Sequence, residues 1–139
     1  GTAIRLFVTE TVPDATFLVK KSNFRGHFCN DTGYVDGDDT LRCGVVSQTV
    51  TCGVTDPTVL VVEKGSFDLN TGGYAGGVLS YRGSFGDASP TFCTDGTSPE
   101  VVVFGSNFTR NDGGITTMGA LLTVDRSLFK ANVQAVGCG

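Results

Sequence analysis

Five cysteines, one histidine and a cluster of acids are the residues of this 139-residue chain whose types could do chemistry. Cys29, Cys43, Cys52, Cys93 and Cys138 form no C-x-x-C or other metal spacing, so what they offer is disulfide formation. Their spacing leaves the pairing open. An odd number leaves one thiol over, and Cys138, next to the end, is the one expected to pair between chains. Cys29 and Cys43 bracket an acidic loop that carries Asp31, Asp36, Asp38 and Asp39. Disulfides at such positions would clip loops to the body or bridge neighbouring segments. The loop lacks EF-hand spacing and a closing Glu, so it reads as a polar protrusion, and no metal is expected. Asn30-Asp31-Thr32 and Asn107-Phe108-Thr109 are sequons, which makes Asn30 and Asn107 glycan acceptors in a secreted chain. Disulfides and sequons together point to a secreted, extracellular or cell-surface protein. No leader is visible before Gly1, and a mature form is expected.

Catalysis finds little support. A Ser-His-Asp arrangement would have to recruit His27, and no Gly-x-Ser-x-Gly element occurs. Glycoside hydrolysis needs two convergent carboxylates about 5–9.5 Å apart. Here the acids gather in one loop, so a polysaccharide lyase or hydrolase is the weaker reading. No enzyme activity and no cofactor are expected. A net charge of −4 with scattered basic residues argues against nucleic acid as a partner. No apolar run approaches the roughly 18 residues of a membrane-inserted helix. With 40% hydrophobic and 17% charged residues, the chain suits one folded domain over 1–139.

A repeat is what must position these residues. Five segments align without gaps on a final phenylalanine: Phe17–Phe24, Leu60–Phe67, Val78–Phe85, Val101–Phe108 and Leu122–Phe129. Seven residues before the Phe stands a bulky apolar side chain. Three before it stand Lys21, Lys64, Arg82 and Arg126, interrupted by Gly105. Two before it the residue is small: Ser22, Gly65, Gly83, Ser106 and Ser127. The Phe positions are 43, 18, 23 and 21 apart. The first gap fits a degenerate copy near Thr40–Val45, with Val45 in the Phe slot, and the mean period becomes about 21.

Units this short, rich in Val, Leu, Phe and Thr and punctuated by Gly, Asn and Asp, cannot bury an apolar face alone. The spacing predicts an all-β fold, a parallel β-solenoid of about six coils of about 21 residues. Phe24, Phe67, Phe85, Phe108 and Phe129 would form an internal aromatic stack. Asn70, Asn111 and Asn132, each three residues after a Phe, would form a hydrogen-bonded ladder. His27 takes the same slot as a structural substitute. The basic residues three before each Phe would form an outward column, balanced by nearby acids and able to attract an anionic glycan.

Phe67-Asp-Leu-Asn70, Phe108-Thr-Arg-Asn111 and Phe129-Lys-Ala-Asn132 resemble the FxxN element of polymorphic outer-membrane-protein repeats. Gly76-Gly77-Val78-Leu79 and Gly113-Gly114-Ile115 resemble that family's Gly-Gly-hydrophobic box. The resemblance implies a right-handed parallel β-helix outside the cell, used for adhesion or as a surface scaffold. A solenoid also presents unpaired strand edges at its ends. Neither Ala3–Thr9 nor Val136–Gly139 reads as a cap. The expectation is a secreted structural protein that stacks head to tail with itself into a fibre or scaffold. The alternative is a monomeric adhesin or glycan-binding module.

Overall fold

A computed structural model of the chain describes residues 3–10, 12, 15–28, 44–71, 75–84, 91–93 and 97–138. Within these, the chain coils through three parallel sheets in turn. The first face holds β1 (Ile4–Val8), β4 (Gly44–Val50), β7 (Ala75–Ser84), β11 (Gly113–Met118) and β14 (Gln134–Cys138), in that order. The second holds β2 (Thr16–Lys20), β5 (Val59–Glu63), β9 (Glu100–Phe104) and β12 (Leu121–Asp125). The third holds β3 (Asn23–Arg25), β6 (Ser66–Asp68), β10 (Asn107–Thr109) and β13 (Leu128–Lys130). A short β8 (Thr91–Phe92) pairs antiparallel with β7. The architecture is the all-β parallel solenoid that the repeat predicts.

Two corners are built to one pattern in every coil. Between the second and third faces stand two residues, of which the first is Lys21, Lys64, Gly105 or Arg126, all with positive φ. Leaving the third face, Gly26, Leu69, Arg110 and Ala131 do the same. Every non-glycine residue of positive φ among the described residues lies in one of these two columns. The left-handed conformation costs an L-residue about 1–2 kcal/mol. Inter-coil hydrogen bonds offset that cost. The Lys21, Lys64 and Gly105 amides donate to the carbonyls of Glu63, Phe104 and Asp125, at 2.9, 2.9 and 3.0 Å. The ladder thus continues around the bend without a gap.

Inside the corners, like stacks on like. Phe24, Phe67, Phe108 and Phe129 stand in register, with ring centroids 5.0, 4.6 and 4.8 Å apart. On the second face Val19, Val62, Val103 and Val124 form an inward column beside Phe17, Leu60, Val101 and Leu122. Fully burying each such side chain is worth about 1.5–3 kcal/mol. The second face alternates buried and less buried residues along β5 and β9, whereas all seven residues of β4 are buried. Along β4, β7 and β11 the first face is therefore covered on both sides. Two of its polar inward side chains pair with each other and with the chain just ahead of β5: Gln48 donates to Thr58 at 3.2 Å, and Ser80 donates to Gln48 at 3.0 Å.

The coil is not always one period long. Register partners are 21 residues apart between the last two coils (Phe108↔Phe129), but 41 apart for Phe67↔Phe108 and 43 apart for Phe24↔Phe67. Each of the two earlier turns spans close to two periods, so the described strands make four coils plus β14, not six coils. The added length lies largely between β3 and β4 and between β7 and β9. Val45 therefore belongs to β4 on the first face, not to the Phe slot. Val78–Ser84 belongs to β7 on that same face, not to a repeat copy. Phe85 lies outside the described residues, and Phe67 stacks directly on Phe108 with no ring between them.

The two Gly-Gly boxes are neighbours across one coil. A Cβ at Gly76 would come 2.7 Å from the Asn70 carbonyl oxygen and 2.8 Å from Asn111 Cβ. At Gly77 it would strike the Gly114 carbonyl and lie 2.7 Å from the Phe108 ring. Glycine is required here by close approach of backbone to ladder and ring, not by its φ. Gly77→Ala is expected to cost about 1–3 kcal/mol by overpacking, read as a lowered Tm in thermal denaturation.

Candidate functional site

The polar machinery lies at the corner after the third face. Asn111 Oδ1 accepts from the Asn70 amide N–H at 3.0 Å and from Asn70 Nδ2 at 2.9 Å. Asn132 Oδ1 accepts from the Asn111 amide and Asn111 Nδ2 at 2.9 and 3.0 Å. Each Asn also donates backwards: Asn70, Asn111 and Asn132 to the carbonyls of Phe24, Phe67 and Phe108. His27 begins this ladder through its backbone, whose N–H donates to Asn70 Oδ1 at 3.0 Å. Its ring contacts Phe24 and its side chain takes no part in the ladder bonds.

A second ladder, of serine hydroxyls, runs along the other corner. Ser106 Oγ accepts from the Gly65 amide at 3.0 Å, and Ser127 Oγ accepts from the Ser106 amide at 3.1 Å. Ser22, Ser106 and Ser127 each donate to the carbonyl two residues before. The sequence marks these positions only as small. Three serines among the four true copies were the signal that a hydroxyl, and not merely space, is needed.

Charges on the outside pair across coils. Asp68 takes Arg110 in a bidentate contact, with Nη2 at 2.8 and 2.7 Å from its two oxygens, and Arg25 at 3.4 Å from the other side. Glu63 takes Lys20 at 3.0 Å and Lys64 at 3.7 Å. Arg126 lies 3.7 Å from Asp125 and over the Phe104 ring at 5.6 Å. Lys21, Lys64 and Arg126 do form a column at the corner, and Gly105 fits it because the position has positive φ. Arg82 does not belong there. It is buried in β7 on the first face, in register with Val50.

Cys52 and Cys93 form a disulfide with Cα atoms 5.4 Å apart. Their separation of 41 equals the register offset between the second and third coils, so the bond ties neighbouring coils. It points to an oxidising compartment. Cys29, Cys43, Asn30 and the acidic loop lie outside the described residues. Cys138 lies in β14, in register with Thr117. Asn107 opens β10 and is exposed on the outer side of the third face. Among the described residues, no three His, Cys, Asp or Glu side chains gather as a metal site would require.

The ends differ from each other. In the interior of the first coil Val8, Val19 and Phe24 are at 7–8% exposure, while Ile4, Leu6 and Phe17 are partly buried. In the last coil Val124 is 39% exposed, where its counterparts Val62 and Val103 are at 0%. The first face runs to five strands along the axis and the other two to four, so the last coil ends in a step one strand deep. Among the described residues, nine of the ten large exposed apolar residues lie in the terminal coils: Phe7, Val12, Leu18 and Phe28 in the first, and Leu121, Val124, Leu128, Val133 and Val136 beyond Met118.

No family model matches the chain, and neither the curated proteins nor the solved structures contain a match.

Asn111→Ala strands several buried groups, each costing about 1–3 kcal/mol. It is expected to destabilise by at least about 3 kcal/mol in urea denaturation, well above the loss for Asn132→Ala at the open end. The Lys20 hydrogen bond holds the Glu63 carboxyl below its ordinary value of 4.5, and burial opposes that shift. A lowered pKa in the folded chain adds stability above that ordinary value and loses it as pH falls through the folded one. The stability curves of the parent and of Glu63→Gln are therefore expected to separate at neutral pH and converge in acid.

Proposed function

We propose that the chain is a structural, non-catalytic subunit of an extracellular fibre or surface scaffold, joined end to end with copies of itself. The observation that carries this reading is the uncovered interior of the last coil, where Val124 is 39% exposed against 0% for Val62 and Val103, together with the gathering of exposed apolar side chains on the two terminal coils. Soluble surfaces rarely gather apolar residues in this way unless something covers them. Strand edges at the same ends add main-chain donors and acceptors that a second copy can pair. An interface that joins one end to the other is heterologous and grows as an open filament.

Register supports the joint. With β2 and β3 of one copy on β12 and β13 of the next, Phe17 and Val19 meet Leu122 and Val124. Phe24 then continues the file beyond Phe129. Lys20 faces Asp125, as it faces Glu63 within the chain. Arg25 faces Lys130, a like-charge pair that salt would screen. The step matters too: the incoming β1 comes to the place of β14, and one of the two strands yields. The FxxN likeness to polymorphic outer-membrane-protein repeats and the Cys52–Cys93 disulfide agree with a place outside the cell.

Sedimentation and negative-stain microscopy of the purified chain test this reading. The expectation is concentration-dependent end-to-end polymers, faster in salt and faster still when residues 134–139 are removed. Val124→Asp should leave folded monomers, since Val124 is already part-exposed. Monodisperse monomers at high concentration in every form would overturn the proposal.

A further inference from the structure

The chain is acidic, but its charge is not evenly spread. Five outward columns run along the axis on the last residue of the second face, on the third face and on its two corners. They are Lys20–Glu63–Phe104–Asp125, Lys21–Lys64–Gly105–Arg126, Asn23–Ser66–Asn107–Leu128, Arg25–Asp68–Thr109–Lys130 and Gly26–Leu69–Arg110–Ala131. These hold seven of the ten Lys and Arg and only three of the fourteen Asp and Glu. The stripe is thus net +4, and the remainder of the chain is net −8. Local pairing does not cancel it. Glu63 and Asp68 are each shared by two bases, which leaves +1 at each group. Lys21 and Lys130 have no ion-pair partner among the described residues.

We infer that this stripe is a docking surface for an acidic polysaccharide lying along the solenoid axis. Three features fit that occupant. Lys21, Lys64 and Arg126 stand in one column at multiples of the coil spacing, about 4.8 Å, along roughly 15 Å of axis, with Arg25, Arg110 and Lys130 beside them, which suits a linear polymer bearing repeated anions. The third face is only three residues wide, about 10 Å, suited to one sugar chain and narrow for a nucleic-acid duplex. An oxidising compartment, marked by the Cys52–Cys93 disulfide, is one in which anionic polymers are chiefly glycans. Asn23, Ser66 and Asn107 line the middle column with amide and hydroxyl groups that can hydrogen-bond sugar hydroxyls. Arg side chains at Arg25 and Arg110 are already oriented by Asp68 and present planar donor forks. Asn107 is also the sequon residue, so a glycan attached there would stand in the middle of the stripe and occlude it. This surface lies on the side of the solenoid and does not depend on whether the ends polymerise.

The test is calorimetric or surface-plasmon binding of the disulfide-bonded, unglycosylated chain to polygalacturonate and to heparin fragments. Neutral dextran, duplex DNA and phosphatidylserine vesicles serve as comparisons. Binding to one or both acidic polysaccharides, absent for dextran and weakened when ionic strength rises from about 0.05 to 0.2 M, is the expected result. The arms separate carboxylated from sulfated polymers. K21E/K64E/K130E should weaken binding at least ten-fold with an unchanged circular-dichroism spectrum. K130E alone, at an exposed position, should weaken it measurably, and R5E on the first face should not. No binding to either polysaccharide at low salt, equal binding to dextran, tighter binding to DNA or vesicles, or unchanged binding by both stripe variants would overturn the inference.

Discussion

The constraint on which this fold rests is that every coil must turn the corner between the second and third faces in two residues. Only then do equivalent side chains land on one another. The first corner residue takes the left-handed conformation, its amide pairs with the coil above, and the second tucks a small side chain inward. Given that bend, the Phe two residues later is delivered to the same point in each coil. The Asn three residues beyond is delivered with it. The aromatic file and the amide ladder are then two consequences of one geometry: one fills the interior, the other satisfies the backbone where the third face ends. The exit from the third face repeats in every coil as well, and the length variation of the chain lies beyond it, before the first face, and between the first and second faces.

This division explains what the sequence disclosed. The four true copies share corner, Phe and ladder residue because the bend fixes all three. Val78-Leu-Ser-Tyr-Arg-Gly-Ser imitates the same pattern for a different reason. Its apolar start reads like the strand of a repeat copy, and Arg82-Gly83-Ser84 copies the basic-small motif of the corner without making it, because the segment runs on as one first-face strand. The two long turns, of 43 and 41 residues, each sit near twice 21, so a count by mean period takes two turns for four. A sequence carries the period of its side chains, but not which sheet a strand joins. The resulting confusion was confined to the first face, where burial on both sides removes the alternation that separates inside from outside.

The interaction features followed a similar rule. Lys21, Lys64 and Arg126 were legible as a column because they occupy a restricted position. Arg110 and Asp68 were not, because their contact joins a corner to a neighbouring coil and depends on a register that only the fold supplies. The Cys52–Cys93 pair became legible only with that register, since 41 is the length of one turn. The step at the last coil likewise follows from strand counts, not from any residue type. What emerges is a rod with apolar ends and a basic side on an otherwise acidic body. Each surface has its own chemistry.

The coil register requires Phe67 and Phe108 to be direct neighbours across a 41-residue turn. A double-mutant cycle on Phe67→Leu and Phe108→Leu, read by urea denaturation, measures that contact alone. Stacked rings should couple by about 0.5–1.5 kcal/mol beyond their burial. Additivity of the two substitutions, within about 0.3 kcal/mol, would mean that the rings do not touch and that the coil register described above is wrong.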